Sequence, residues 1–266
     1  MRALVTAVAL LGVACRSQSA EPPRSPTLPS IVLPLELRAV ASLAVGPDGV
    51  VWIVGMDGSL RQVTGSTVEK VVVPQASRVA SVAVSSEGPY VVYDDAGGVS
   101  HLARLTPQPT LLPTPVEPRA VASGASVAGV WFTSVDTSLR GPSGAPETGR
   151  YNAVAVSPSG RYVAARGTPD DVLQVRATAL NGGPAGWVSR GVLRGMLLGV
   201  DDRGHAFALE LEPAEPRAMP KGVVFQLDAA GKRTELRRGA FVAGAVGPKG
   251  LVLVEQTSSG FTIVRE

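Results

Sequence analysis

From Ser42 onward the chain alternates short apolar runs with tight polar turns. SLAVGPDGVVWIVGMDGSLRQV (42–63) is followed by SVAVSSEGPYVVYDDAGGVSHL (81–102), and the two align without a gap, Gly49 and Gly88 lying 39 residues apart. Four related segments follow: SVAGVWFTSVDTSLRG from Ser126, NAVAVSPSGRYVAARG from Asn152, MLLGVDDRGHAFALEL from Met196 and AGAVGPKGLVLVEQTSSG from Ala243. Each has an apolar run, a turn such as GPDG, SPSG, DDRG or GPKG, and a second apolar run, the pattern of a hairpin whose Gly takes a positive φ. A second polar turn, MDGS or DDAGG, leads into further strand-like runs such as LRQV and VEKVVVP.

Four short strands in about 40 residues, repeated, is the period of a propeller blade. The chain is therefore predicted to be all-β, a six-bladed β-propeller. The third segment shows no turn of the GPDG kind and the fifth carries the insert LEPAEPRAMPKG, so five or seven blades stay open. VVWIV and YVVY are apolar on both faces, as in sheets stacked between sheets. No connecting segment sustains a 3.6-residue period, which disfavours a parallel α/β fold. PSIVLPLELRAVASLAV lines up with VEKVVVPQASRVASVAV, so Ile31–Leu37 takes an outermost-strand position with no blade before it. The last segment stops one strand short, and Ile31–Leu37 is predicted to complete it and close the ring.

Residues 31–266 resemble six-bladed bacterial propellers of the NHL and YVTN kind. The resemblance implies the fold and leaves function to the loops. Some six-bladed propellers are enzymes of the lactonase, lyase or quinoprotein sort, with His, Glu, Asn or Asp converging on the channel. This chain has two His and two Asn.

Residues 1–15 change the cellular picture. MRALVTAVALLGVA has one early positive charge and an apolar run too short to span a bilayer, and the chain's single cysteine, Cys15, follows it at once. This resembles a bacterial lipoprotein signal, in which the cysteine is diacylated and becomes the mature N-terminus. Leu11 stands one place further back than the family's usual Leu, and ordinary signal cleavage near Ser17-Gln18-Ser19 is the alternative. Residues 16–30 are polar and Pro-rich, a tether of up to roughly 40 Å at about 3.1 Å per residue. The expected address is the cell envelope: a lipid anchor on Cys15 in the membrane, an envelope protein as partner, or else a soluble secreted protein. With one Cys the fold holds no internal disulfide. A net charge of +3 without basic blocks gives no footprint for nucleic acid.

Candidate chemistry is sparse. His101 and His205 fall at non-equivalent repeat positions with no metal-ligand spacing, and no nucleophile elbow or phosphate loop is present. No catalytic residue, metal or cofactor is expected. Asp94-Asp95, Asp170-Asp171 and Asp201-Asp202 read as turn caps. Trp52 and Trp131, at one repeat position, read as packing between blades. One feature is less ordinary: an arginine stands just ahead of each repeat's first strand, namely Arg38, Arg78, Arg119, Arg150, Arg194 and Arg238. On a propeller these would ring one mouth of the channel. They are matched either by neighbouring carboxylates, with Glu36, Glu117, Glu235, Asp57, Asp95 and Asp136 at hand, or by an anionic ligand. The leading expectation is a tethered, non-enzymatic scaffold that binds a protein or ligand; an enzyme of the kinds named and a purely structural envelope component are the alternatives.

Overall fold

In the computed structural model, which describes residues 31–33, 39–124, 129–142, 146–147, 149–178, 188–212, 221–258 and 260–266, every helix-or-strand element is a strand. The first is β1 (Ile31–Leu33). Blade 1 is β2 (Val40–Val45), β3 (Val51–Gly55), β4 (Leu60–Thr64) and β5 (Thr67–Val71); blade 2 is β6 (Arg78–Ser85), β7 (Gly88–Asp94), β8 (Ser100–Arg104) and β9 (Thr110–Leu112). Among the described residues, blade 3 has three strands, β10 (Pro118–Ala122), β11 (Trp131–Ser134) and β12 (Leu139–Arg140). Blade 4 is β13 (Tyr151–Val156), β14 (Tyr162–Gly167), β15 (Val172–Ala177) and β16 (Val188–Val192). Blade 5 is β17 (Met196–Val200), β18 (Ala206–Leu211), β19 (Gly222–Leu227) and β20 (Arg233–Gly239), and blade 6 is β21 (Phe241–Gly247), β22 (Gly250–Thr257) and β23 (Gly260–Arg265). The blades are antiparallel sheets in a six-bladed β-propeller, which settles the number against five and seven.

The ring closes as the repeat alignment requires. β1 pairs antiparallel with β23, Ile31 opposite Ile263 and Leu33 opposite Phe261, so blade 6 gains its fourth strand from the other end of the domain. Leu33 is fully buried between blades 6 and 1. Residues 34–38, including Arg38, and residues 1–30, including Cys15, lie outside the described residues.

Every neighbouring pair of blades shares an apolar core. Val51, Ile53 and Val63 of blade 1 meet Val252, Val254 and Ile263 of blade 6. Trp52 packs blade 1 on blade 2 through Val82, Val84 and Val91, and Trp131 packs blade 3 on blade 4. Both tryptophans therefore do the interblade packing read from the sequence. Because each sheet is sandwiched, its central strand is buried on both faces; in β3 all five residues are buried. The first hairpin of each blade turns on glycine, with φ of 84° at Gly49 and 110° at Gly88. The third blade is no exception to this: Gly129, at φ 80°, stands ahead of Val130-Trp131 as Gly49 stands ahead of Val50-Val51. The sequence comparison missed it because the loop before it does not match GPDG.

Blade 3 departs from the four-strand pattern at its outer edge. Pro146 bridges Arg140, and the Glu147 amide donates to the Leu139 carbonyl at 2.7 Å, so two residues stand where a strand would run. Proline lacks the donor a longer ladder needs. Arg176 of blade 4 grips both carboxylate oxygens of Glu147 and lies 5.1 Å from the Trp131 ring centroid, tying the short blade to its neighbour.

Candidate functional site

The innermost strands β2, β6, β10, β13, β17 and β21 converge on a central channel of about 340 Å³. Six strands crowd around one axis, so the wall is built of small side chains: Ala41, Ser42, Ala80, Ser81, Ala120, Ala153 and Ala243 among them. All six strands carry a β-bulge against their blade partners. A bulge re-aims one side chain. In blades 1, 2 and 6 that residue is Ala41, Ala80 or Val242; in blades 3 and 4 it is Arg119 and Asn152.

The two arcs of the wall differ. In blades 1 and 2, Ser42 accepts from the Val82 amide at 3.2 Å and Ser81 from the Val121 amide at 3.3 Å, stapling the inner strands of blades 1, 2 and 3. The arc of blades 4 to 6 has Ala153, Leu197, Gly199 and Ala243, without hydroxyls. Above that apolar arc sits Arg166 of β14. Its Nε donates to Asn152 Oδ1 at 2.8 Å and its Nη1 to the Gly195 carbonyl at 2.5 Å, while Asp171 stands 3.5 Å from Nε. Among the described residues, the charged groups lining the channel are Arg119 and Arg166, and no Asp, Glu or His contributes.

Arg119 and Arg166 lie at the end of the ring where the inner strands begin. The second hairpin turns lie there too: the Met56 amide donates to the Ala39 carbonyl, Val79 to Gly58 and Val135 to Glu117. Of the predicted arginines, Arg78 opens β6, Arg119 lies in β10, Arg150 immediately precedes β13 and Arg194 lies two residues ahead of β17, all exposed. Arg238 is on the outermost strand β20, opposite Val223, and is held by Glu212 and Glu235. Among these five, Arg119 alone lines the channel. The others form a wider rim.

The carboxylates of this face are occupied locally. Asp57 Oδ1 accepts from the Ser59 amide and hydroxyl at 3.0 and 2.8 Å. Asp95 accepts from the amides of Gly97 and Val99 and bonds His101 at 2.9 Å; that histidine contact, foremost, holds its carboxyl below the usual range. Asp136 accepts from the Ser134 hydroxyl at 2.6 Å and the Ser138 amide at 2.9 Å, and Glu117 from the Ser100 amide at 3.1 Å. Asp57, Asp95 and Asp136 serve as turn caps and Glu117 is held by the Ser100 amide of blade 2, and among the described residues Arg78, Arg119, Arg150 and Arg194 have no carboxylate partner. His205 likewise pairs with Asp201 of its own hairpin, at 3.1 Å. Among the described residues, no three of His, Cys, Asp and Glu gather closely enough to hold a metal ion.

The same face also carries exposed apolar side chains. Met56, Val99 and Val135 stand on the second turns of blades 1, 2 and 3; Met196 opens β17; Val72, Val192 and Leu211 lie where β5, β16 and β18 reach this end. The first hairpin turns, at the opposite end, present Asp48, Glu87, Ser159, Arg203 and Lys249, and near them the exposed Val188 opens β16. Sequence reasoning missed this asymmetry and Arg166 as well. Its signal was there: Arg166 falls six residues after its turn glycine, where the other repeats have Gly55, Asp94, Val135, Glu210 and Gln256.

No protein-family model matches the chain, and no curated protein matches it. Solved structures do. It is similar to a gluconolactonase from Xanthomonas campestris (TM-score 0.58, 14% identity, covering 91% of this chain and 99% of that one). It is also similar to a chain of a mitotic checkpoint complex (TM-score 0.52, 11% identity, 97% and 99%) and to hydrazine synthase from Kuenenia stuttgartiensis (TM-score 0.51, 14% identity, 88% and 78%). Proteins this different share an architecture, and identities this low show the fold alone.

Proposed function

We propose that the protein is a non-enzymatic β-propeller lipoprotein of the cell envelope that docks an acidic polypeptide partner on the arginine-bearing face of its ring. The observation that carries the reading is the state of that face: Arg78, Arg119, Arg150 and Arg194 are exposed, and the carboxylates around them are committed to turn amides, His101 or Ser134. Guanidinium groups gathered at one end repel one another unless an anion matches them. Met56, Val99, Val135 and Met196 stand among them. Exposed apolar groups interspersed with Arg suit a protein interface, where Met and Arg are enriched. Six blades make the face stiff, so binding costs little ordering of the scaffold. Cys15 would hold it at a membrane, with residues 16–30 as spacer.

The test is thermal stability in the presence of poly-glutamate. The full-length chain is expected to gain several degrees, the gain fading as salt rises from 0.05 to 0.5 M, as exposed charge interactions do. Arg78→Gln with Arg150→Gln should abolish the gain and leave the melting temperature without polyanion unchanged, since among the described residues neither side chain has a carboxylate partner to strand. A gain that survives the double replacement refutes the docking face.

A further inference from the structure

The strand that closes the ring also sets where the tether joins it. β21 runs from the arginine-bearing end to its first hairpin turn and β22 returns. β23 then runs out again to Arg265, and beside that turn the Glu266 amide donates to the Leu251 carbonyl at 2.8 Å. β1 is antiparallel to β23, with Ile31 opposite Ile263 and Leu33 opposite Phe261, so it starts at the end of the first hairpin turns and runs towards the arginines. Ile31 accordingly shares a groove with Asp48, Gly49 and Val50 of the first turn of blade 1 and with Arg265. We infer that the anchored ring keeps its first-turn end towards the bilayer and its arginine-bearing face away from it, so that the acidic partner is a polypeptide reaching that face from the aqueous side. The inference rests on the anchor at Cys15 and on the docking face proposed above.

Reach and charge both favour this orientation. Residues 16–30 span up to roughly 40 Å at about 3.1 Å per residue, and Pro22, Pro23, Pro26 and Pro29 stiffen them. A ring turned over would draw the tether up its flank, about 20 Å for a six-residue strand at about 3.3 Å per residue, taking half of that reach. Anionic headgroups are the competing occupant of the arginines. Lipid-facing surfaces rely on Trp, Phe and Leu, whereas among the described residues no aromatic side chain is exposed. Asp57 and Asp136 are exposed on the same face. A polypeptide can set its acids on the arginines and avoid these two carboxylates, but a continuous sheet of phosphates cannot.

Labelling in vesicles reads the orientation. With lipid on the Cys15 sulfur, an introduced cysteine is the single free thiol. Lys249→Cys and Arg203→Cys place a dye on exposed first turns, and Ala96→Cys places one on an exposed second turn of blade 2. The full-length lipidated protein is reconstituted into phosphatidylethanolamine and phosphatidylglycerol vesicles carrying a headgroup quencher. Quenching is expected to be several-fold stronger at positions 249 and 203 than at 96, and added poly-glutamate should change the emission at 96 alone. Equal quenching at the three positions, or the strongest at 96, overturns the orientation, the latter by showing the arginines on lipid. If the native chain stays soluble and none of the three dyes is quenched, the anchor itself fails and the orientation falls with it. Quenching as expected with no response to poly-glutamate supports the orientation and removes the docking face.

Discussion

Single carboxylates on the arginine-bearing face do structural work, and Asp136 shows it most clearly. The buried Ser134 hydroxyl, foremost, with the amide and hydroxyl of Ser138, holds its carboxyl down at about 2 against an ordinary 3.8. A folded-state value below the unfolded one means that the stabilisation is complete above about pH 4 and is lost as the pH falls through 2. Asp136→Asn should therefore lower the melting temperature at pH 7, and the gap from the native chain should close towards pH 2. Melting curves at pH 7, 4 and 2 check this; a gap that stays constant with pH would show that the charge contributes nothing. Asp95 shifts in the same direction through His101. Arginines close to these acids thus compete with amides and hydroxyls already in place.

At the scale of elements, the exposed edge of β23 is the ring's weak seam. β1 covers it with three residue pairs and places Leu33 in the core between blades 6 and 1. Deleting residues 31–37 removes that leucine, at about 2–5 kcal/mol for a buried large side chain, and uncovers a row of strand donors and acceptors. Deleting residues 17–30 should cost almost nothing. Thermal unfolding of the two truncations tests the difference, and equal melting temperatures would mean that closure through β1 is not what holds blade 6. At the outer edge of blade 3, among the described residues, Pro146 bridges Arg140 and Glu147 is clamped by Arg176.

The whole molecule adds what no blade has alone: two unlike ends. At the end with the first hairpin turns the turns themselves are polar and Val188 is exposed, whereas the end where the inner strands begin gathers arginine and most of the exposed apolar groups. Function on such a face needs the ring to be held where its partner is, which gives Cys15 its place in the proposal. Cys15→Ser is expected to move the protein from the membrane fraction to the soluble fraction with its melting temperature unchanged. Fractionation of the two forms checks it; a native chain already soluble and cleaved near Ser19 would remove the anchor. Lipid anchoring by one modified residue is cumulative in buried methylenes and acts independently of the fold.

The sequence by itself determined the parts of the ring: the hairpins, the closing strand and the interblade tryptophans; it favoured six blades, and the structure settled that number against five and seven. All of these rest on local signals, a turn glycine at positive φ and runs apolar on both faces, which recur in register and so can be counted. It also placed an arginine ahead of each inner strand. Only the tertiary structure decided what those arginines meet. Whether Asp57, Asp95 and Asp136 pair with arginine or with turn amides depends on competing hydrogen bonds a few ångströms apart, and spacing along the chain does not rank them. The meeting of Arg119, Asn152 and Arg166 at one mouth depends on bulges that turn two side chains towards the axis and on the contact of two successive blades. Strand periodicity tells which side of a sheet a residue occupies. It does not tell which groups from other blades ring closure will set beside it.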